Sequence, residues 1–286
     1  GAGDDNFYIY AGGDNAIDGG VNTATGDTLS YYDLSVGVTV TFTAGGIAAT
    51  HSANSDTING IETIVGGDYT DTFTFYQDAT SLGVETVNGD YGDDVFNVES
   101  GVTTSFNLNG GAADDTVNIA QGATLAGYDG GGGTGDIVSF GAGTGATATG
   151  ITNVEYISAI GQTGVFNVTL ADGGELIEAA YIDHMTGGDG DDNVTYSSSL
   201  IAGDTVDLAG GTGDVLTLQN MTNTVAISNV ETVTGTAGSD TLTMSTAVSG
   251  VIIDLAGGSV DTLTLATGSS SLSTIGVEQI AGTGGG

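Results

Sequence analysis

The 286-residue sequence contains no lysine, arginine, cysteine, proline or tryptophan. The missing cations exclude the most. Thirty-six Asp and Glu residues stand uncompensated, for a formal net charge of −36. Nucleic-acid binding works by displacing counterions from phosphates with Lys and Arg, so it is excluded. Adhesion to anionic membrane surfaces fails for the same reason. Polysaccharide lyases use Arg or Lys to stabilise enolate-like charge, and that chemistry has no carrier here. A folded chain this acidic repels itself and calls for bound cations. The lack of cysteine removes disulfides and thiol chemistry. There is no apolar run of about 18 residues and no basic leader, so no membrane insertion and no targeting signal are expected. The sequence opens inside a motif, which reads as a processed product or a piece of a longer chain.

What is present is glycine, 52 residues of it, together with 39% hydrophobic residues. That is too much apolar content for a solvated acidic tail. Glycine without proline is not collagen, and points to many tight turns.

The turns recur. A glycine-rich stretch ends in Asp and passes at once into an alternating run, as in "DTFTF" from Asp71, "DVFNV" from Asp94 and "DTLTL" from Asp261. The turn-ending positions are Asp5, Asp27, Asp71, Asp94, Asp115, Asp136, Asp192, Asp214, Asp240 and Asp261. Most lie about 21 to 26 residues apart, a solenoid-type period. Gly164 takes the Asp place in one unit, and Asp56 falls off the beat. Two and four residues after each Asp the side chain is apolar or aromatic, with mostly Thr, Asn or Ser between, so one face is buried. A second recurrent run is aliphatic–Glu–x–aliphatic, at Glu62, Glu85 and Glu231; its Glu reads as a solvated ladder. The expected fold is all-β: a right-handed parallel β-solenoid of about twelve coils of roughly 23 residues. It is read as one elongated domain over 1–286, with irregular coils near 30–60 and 141–185.

Gly187–Thr195, "GGDGDDNVT", fits the nonapeptide G-G-x-G-x-D-x-U-x. Together with Gly26–Phe75 it resembles the haemolysin-type calcium-binding repeats of secreted bacterial RTX and S-layer proteins. The coils are longer than two nonapeptides, "GGTGD" at Gly210–Asp214 is one residue short, and Gly161–Gly164 has lost its Asp. The resemblance implies a secreted, extracellular or cell-surface location and several Ca2+ ions per chain.

The turns suit that ion on chemical grounds. Calcium takes six to eight oxygens at flexible geometry, and stacked glycine turns can pool carbonyls and carboxylates. The candidate ligand turn runs through Gly187, Gly188, Asp189, Gly190, Asp191 and Asp192. Further candidates are Asp90, Asp93 and Asp94, then Asp4 and Asp5, then Asp114 and Asp115. Asp27, Asp71, Asp136, Asp214, Asp240 and Asp261 are single-carboxylate candidates. Asp and Gly are also simply good turn residues.

No catalytic residue is assigned. Acid pairs recur on the structural period, which marks scaffold rather than one active site, and His51 and His184 have no metal-ligand spacing. Placing Gly286 before Gly1 gives "GGAGDDNFY", the same motif again. The expected function is therefore non-catalytic: a calcium-binding structural protein whose copies stack head to tail into a filament, fibre or S-layer. The alternative is a stalk or glycan-binding segment of a large RTX adhesin, with ice a lesser ligand for the Thr-x-Thr runs.

Overall fold

The structure, a computed structural model, describes residues 2–10, 13–21 and 26–282. The Gly286–Gly1 join lies outside them. The chain is all-β, a parallel solenoid of about thirteen stacked turns against the twelve expected. Among the described residues helix is confined to one 3-10 turn, Ala79–Leu82, capped by Asp78 and by Gly83 in the left-handed region. No described helix is long and apolar enough to cross a membrane.

The chain divides into two compact units. The first comprises Gly1–Glu155 with Gly161–Gly164. One of its sheets runs from Asn6–Tyr8 through Thr28–Ser30, Thr63–Gly67, Thr86–Tyr91, Asn107–Ala112 and Thr124–Gly132 to Thr147–Thr152, every neighbour parallel. Its other sheet stacks Val38–Thr43, Thr72–Phe75, Val95–Val98, Thr116–Ile119 and Ile137–Phe140 in parallel. The irregular region is here. Val38–Thr43, Gly46–His51 and Asn54–Asn59 form an antiparallel meander inserted in the same sheet.

The second unit comprises Tyr156–Ile160 with Val165–Gly286. Its strands are parallel throughout, for example Asn193–Tyr196, Val215–Leu218 and Thr232–Thr234 in one sheet, and Thr241–Met244, Thr262–Leu265 and Gln279–Gly282 in the other.

Alternation dictates the core. In the first unit Val40, Phe73, Phe96, Val117 and Val138 are paired in register and fully buried. The rings of Phe73 and Phe96 stack at 5.1 Å, only 9° from parallel. The second unit repeats the pattern with Val194, Leu216 and Val233. A parallel in-register stack sets like side chains above one another, which continues one core from coil to coil.

Candidate functional site

The turn-ending aspartates enter strands, and the pleat that buries the next-but-one residue also fixes where each carboxylate points. Asp27, Asp71, Asp94, Asp115, Asp136, Asp192, Asp214, Asp240 and Asp261 are all buried, none more than 1% exposed. Their chain neighbours point the other way. Asp4, Asp93, Asp114, Asp189 and Asp191 are exposed, while Asp5 and Asp90 are half-buried. The pairs Asp93/Asp94, Asp114/Asp115 and Asp191/Asp192 are therefore split across the backbone. Gly187 and Gly188 are buried and Gly190 half-buried. Among the described residues no three His, Asp or Glu side chains gather where they could hold one metal ion.

The buried column is a hydrogen-bonded ladder. The Asp71 N–H donates to Asp94 Oδ1 at 2.7 Å, Asp94 N–H to Asp115 Oδ1 at 2.8 Å, and Asp115 N–H to Asp136 Oδ1 at 2.6 Å. The second unit does the same from Asp192 to Asp214 and from Asp240 to Asp261, each at 2.7 Å. In these coils the carboxylate of one coil closes the backbone N–H of its neighbour. Glutamates of the recurrent Glu runs take over in places. Glu62 accepts from Asp27 N–H, Glu155 from Asp136, Glu231 from Asp214 and Glu278 from Asp261. The expectation that Glu62 and Glu231 form a solvated ladder is corrected here: both are half-buried caps. The signal lay in the sequence, since Glu155, Glu231 and Glu278 follow their aspartates by 19, 17 and 17 residues.

The second carboxylate oxygen decides the electrostatics. In Asp71 and Asp192 it accepts from the N–H of Gly67 and Gly188. In Asp27, Asp94, Asp115, Asp136, Asp214 and Asp240, Oδ2 is buried without a hydrogen-bond partner. It packs on a glycine: a Cβ on Gly89 would overlap both Asp94 Oδ2 and the Gly110 carbonyl oxygen. Gly187 is the matching seat for Asp192, beside the Leu208 carbonyl. At Gly89 a carboxylate oxygen and a carbonyl oxygen thus both crowd the glycine, and the carboxylate oxygen has no hydrogen-bond donor.

Desolvation disfavours the ionised form of such a group. Burial, followed by the charges of Asp71 and Asp115, pushes Asp94 up to about 8 despite the hydrogen bond from Asp71. Burial pushes Asp115 to about 7, and Asp71 and Asp214 to about 6. At Asp94, Asp115 and Asp214 the raised value and the unpartnered oxygen occur together. All donors present are oxygens, the type calcium takes.

A second buried cluster was not anticipated. In the antiparallel meander Asp56 accepts from Asn15 N and Nδ2 at 2.9 and 2.8 Å, and from Tyr31 Oη at 3.2 Å. His51 Nε2 lies 3.0 Å from Asp56 Oδ2, and both residues are buried. His184 is elsewhere, its Nδ1 2.9 Å from Thr205 Oγ1. Compared with known proteins, the chain matches no family model and no curated protein.

Proposed function

We propose that this chain is a non-catalytic, calcium-binding structural protein of the bacterial cell surface or extracellular matrix, whose copies stack head to tail. One observation carries the reading. Successive coils present a backbone N–H on one side and a carboxylate on the other, as Asp94 does between Asp71 and Asp115. A surface of that kind is complementary to itself by translation. Heterologous contacts that do not close build filaments.

Calcium has a place in this reading at the ladder. The orphaned Oδ2 atoms of Asp94, Asp115, Asp136, Asp214 and Asp240, with neighbouring backbone carbonyls, are the residues that would hold it. A bound cation would supply the countercharge that the chain itself lacks, and so couple folding to the calcium outside the cell. Spreading the same acidic device over the coils argues for scaffold rather than a single catalytic centre. The second reading, a stalk or glycan-binding segment of an RTX-type adhesin, draws on exposed aromatic faces such as Tyr76 and Tyr181.

Negative-stain electron microscopy in millimolar calcium, repeated after EGTA, tests the proposal. Filaments or sheets that dissolve on chelation are expected. Separate short rods in calcium would remove self-assembly and leave the adhesin reading. Assemblies indifferent to EGTA, with no calcium retained in equilibrium dialysis, would remove calcium.

A further inference from the structure

In the first unit three neighbouring coils bring two tyrosines together over a glycine, with an aspartate next to it. The strands Thr28–Ser30, Thr63–Gly67 and Thr86–Tyr91 are consecutive in their sheet. Gly67 pairs with Asp90, so Asp68 continues the middle strand where Tyr91 ends the third. Tyr32 follows the first strand, its Cα 3.7 Å from where a Cβ on Gly67 would sit. The two rings meet across the middle coil, centroids 6.4 Å apart and tilted by 60°. Both stay open to solvent, 44% exposed for Tyr32 and 53% for Tyr91. Asp33 and Asp68 are exposed beside them and Asp90 is half-buried.

We propose that Tyr32 and Tyr91, with Asp68 beside them, form a binding site for an organic ammonium cation. Two aromatic faces at this tilt make an open corner. Each face carries the negative end of the ring quadrupole and attracts a cation within about 6 Å of its centroid. The carboxylates supply the net charge that a pair of rings lacks. Their field reaches the rings: Asp68 foremost, then burial, Tyr91, Asp90 and Asp33, hold the Tyr32 hydroxyl above its ordinary value. The chain has no Lys or Arg of its own to fill the corner. An alkylated ammonium matches both parts, with C–H groups for the rings and charge for the acids. A bare divalent ion matches only the acids. The inference stands apart from the assembly proposal, because it needs neither filaments nor calcium.

The test is a titration of choline into the whole chain in millimolar calcium, followed by tyrosine ring resonances and calorimetry. The neutral carbon isostere of choline is the control, and lysine methyl ester is the second cation. Choline is expected to shift the Tyr32 and Tyr91 rings. Tyr91→Ala should weaken it roughly three- to thirty-fold, Tyr91→Phe should retain most of the affinity, and Asp68→Asn should fall between. Tyr156→Ala, at an exposed tyrosine elsewhere, should change nothing. Tighter binding of choline assigns the cation to a quaternary headgroup, and tighter binding of the ester to a protein amine. Equal affinity for the isostere, no binding of either cation, or a choline affinity untouched by Tyr91→Ala would overturn the proposal. The last result would mean only diffuse attraction to the acidic surface. Circular dichroism of Tyr91→Ala separates a lost site from a lost fold.

Discussion

Two buried aspartates of the first unit solve the same problem in opposite ways. Asp56, in the antiparallel meander, has both oxygens occupied, by Asn15 on one side and by Tyr31 and His51 on the other. Asp94, in the regular parallel stack, has one oxygen on the Asp71 N–H and the other buried against Gly89 with no hydrogen-bond partner. The meander is unique in sequence, so it can recruit three different side chains for one carboxylate. A repeated coil meets copies of itself above and below. Its carboxylate meets similar backbone groups from step to step, and the leftover oxygen recurs at Asp94, Asp115, Asp136, Asp214 and Asp240. Irregularity permits full satisfaction; repetition leaves a column of open acceptors. That column is what makes the regular stack sensitive to protons and cations.

The comparison breaks most severely at Asp56. Asp56→Ala leaves the Asn15 amide, the Tyr31 hydroxyl and the His51 ring without their shared acceptor in a dry site. Removing one partner of a buried charged network costs about 3–5 kcal/mol. Urea unfolding should show that loss, and a change below about 1 kcal/mol would mean that water enters the meander and replaces the carboxylate.

The glycine seat gives the next largest effect. Gly89→Ala sets a methyl group against the Asp94 carboxylate and the Gly110 carbonyl, and neither has space to retreat between stacked coils. Overpacking of this kind costs about 3 kcal/mol. Gly83→Ala is the control. Nothing lies within 4 Å of its added Cβ, but its φ of +91° is left-handed, so only backbone strain of about 1 kcal/mol is expected. Similar losses for the two variants, measured by the same unfolding curves, would show that carboxylate packing is not what selects the glycine.

Much of the stack is legible in the sequence. Alternation after each turn aspartate places Phe73, Phe96, Val117 and Val138 in one column because a strand has a period of two. The turn residues are legible for the same reason. Applied to "DD", the same period separates an exposed Asp93 from a buried Asp94. The Glu155, Glu231 and Glu278 caps were hidden because their partners are the backbone of a neighbouring coil. Only the 17- to 19-residue offset betrays them. The Asp56 cluster left no trace of that sort. Asn15 and Asp56 are 41 residues apart and meet only through an antiparallel excursion that breaks the repeat. Periodicity reads what repeats, and the cluster does not.

The smallest change in sequence sharpens the comparison in the other direction. The folded values of Asp71, Asp214, Asp115 and Asp94, from about 6 to about 8, lie above the 3.8 of an unperturbed Asp. The native state therefore holds more protons than the unfolded chain, and stability falls as pH rises. The contribution of these groups is complete below about pH 4. It is lost through pH 6 for Asp71 and Asp214, pH 7 for Asp115 and pH 8 for Asp94. In EGTA, melting temperature should decline from pH 5 to pH 9, the reverse of ordinary acid denaturation. Asp94→Asn keeps the oxygen that caps Asp71 and turns an amide donor toward the Gly110 carbonyl. At pH 6 it should change stability by less than about 1 kcal/mol. At pH 9 it should stabilise, and remove the part of the decline centred near pH 8. A melting temperature flat across this range, or a variant that destabilises equally at both pH values, would mean that the open oxygens are hydrated and that the column carries no proton.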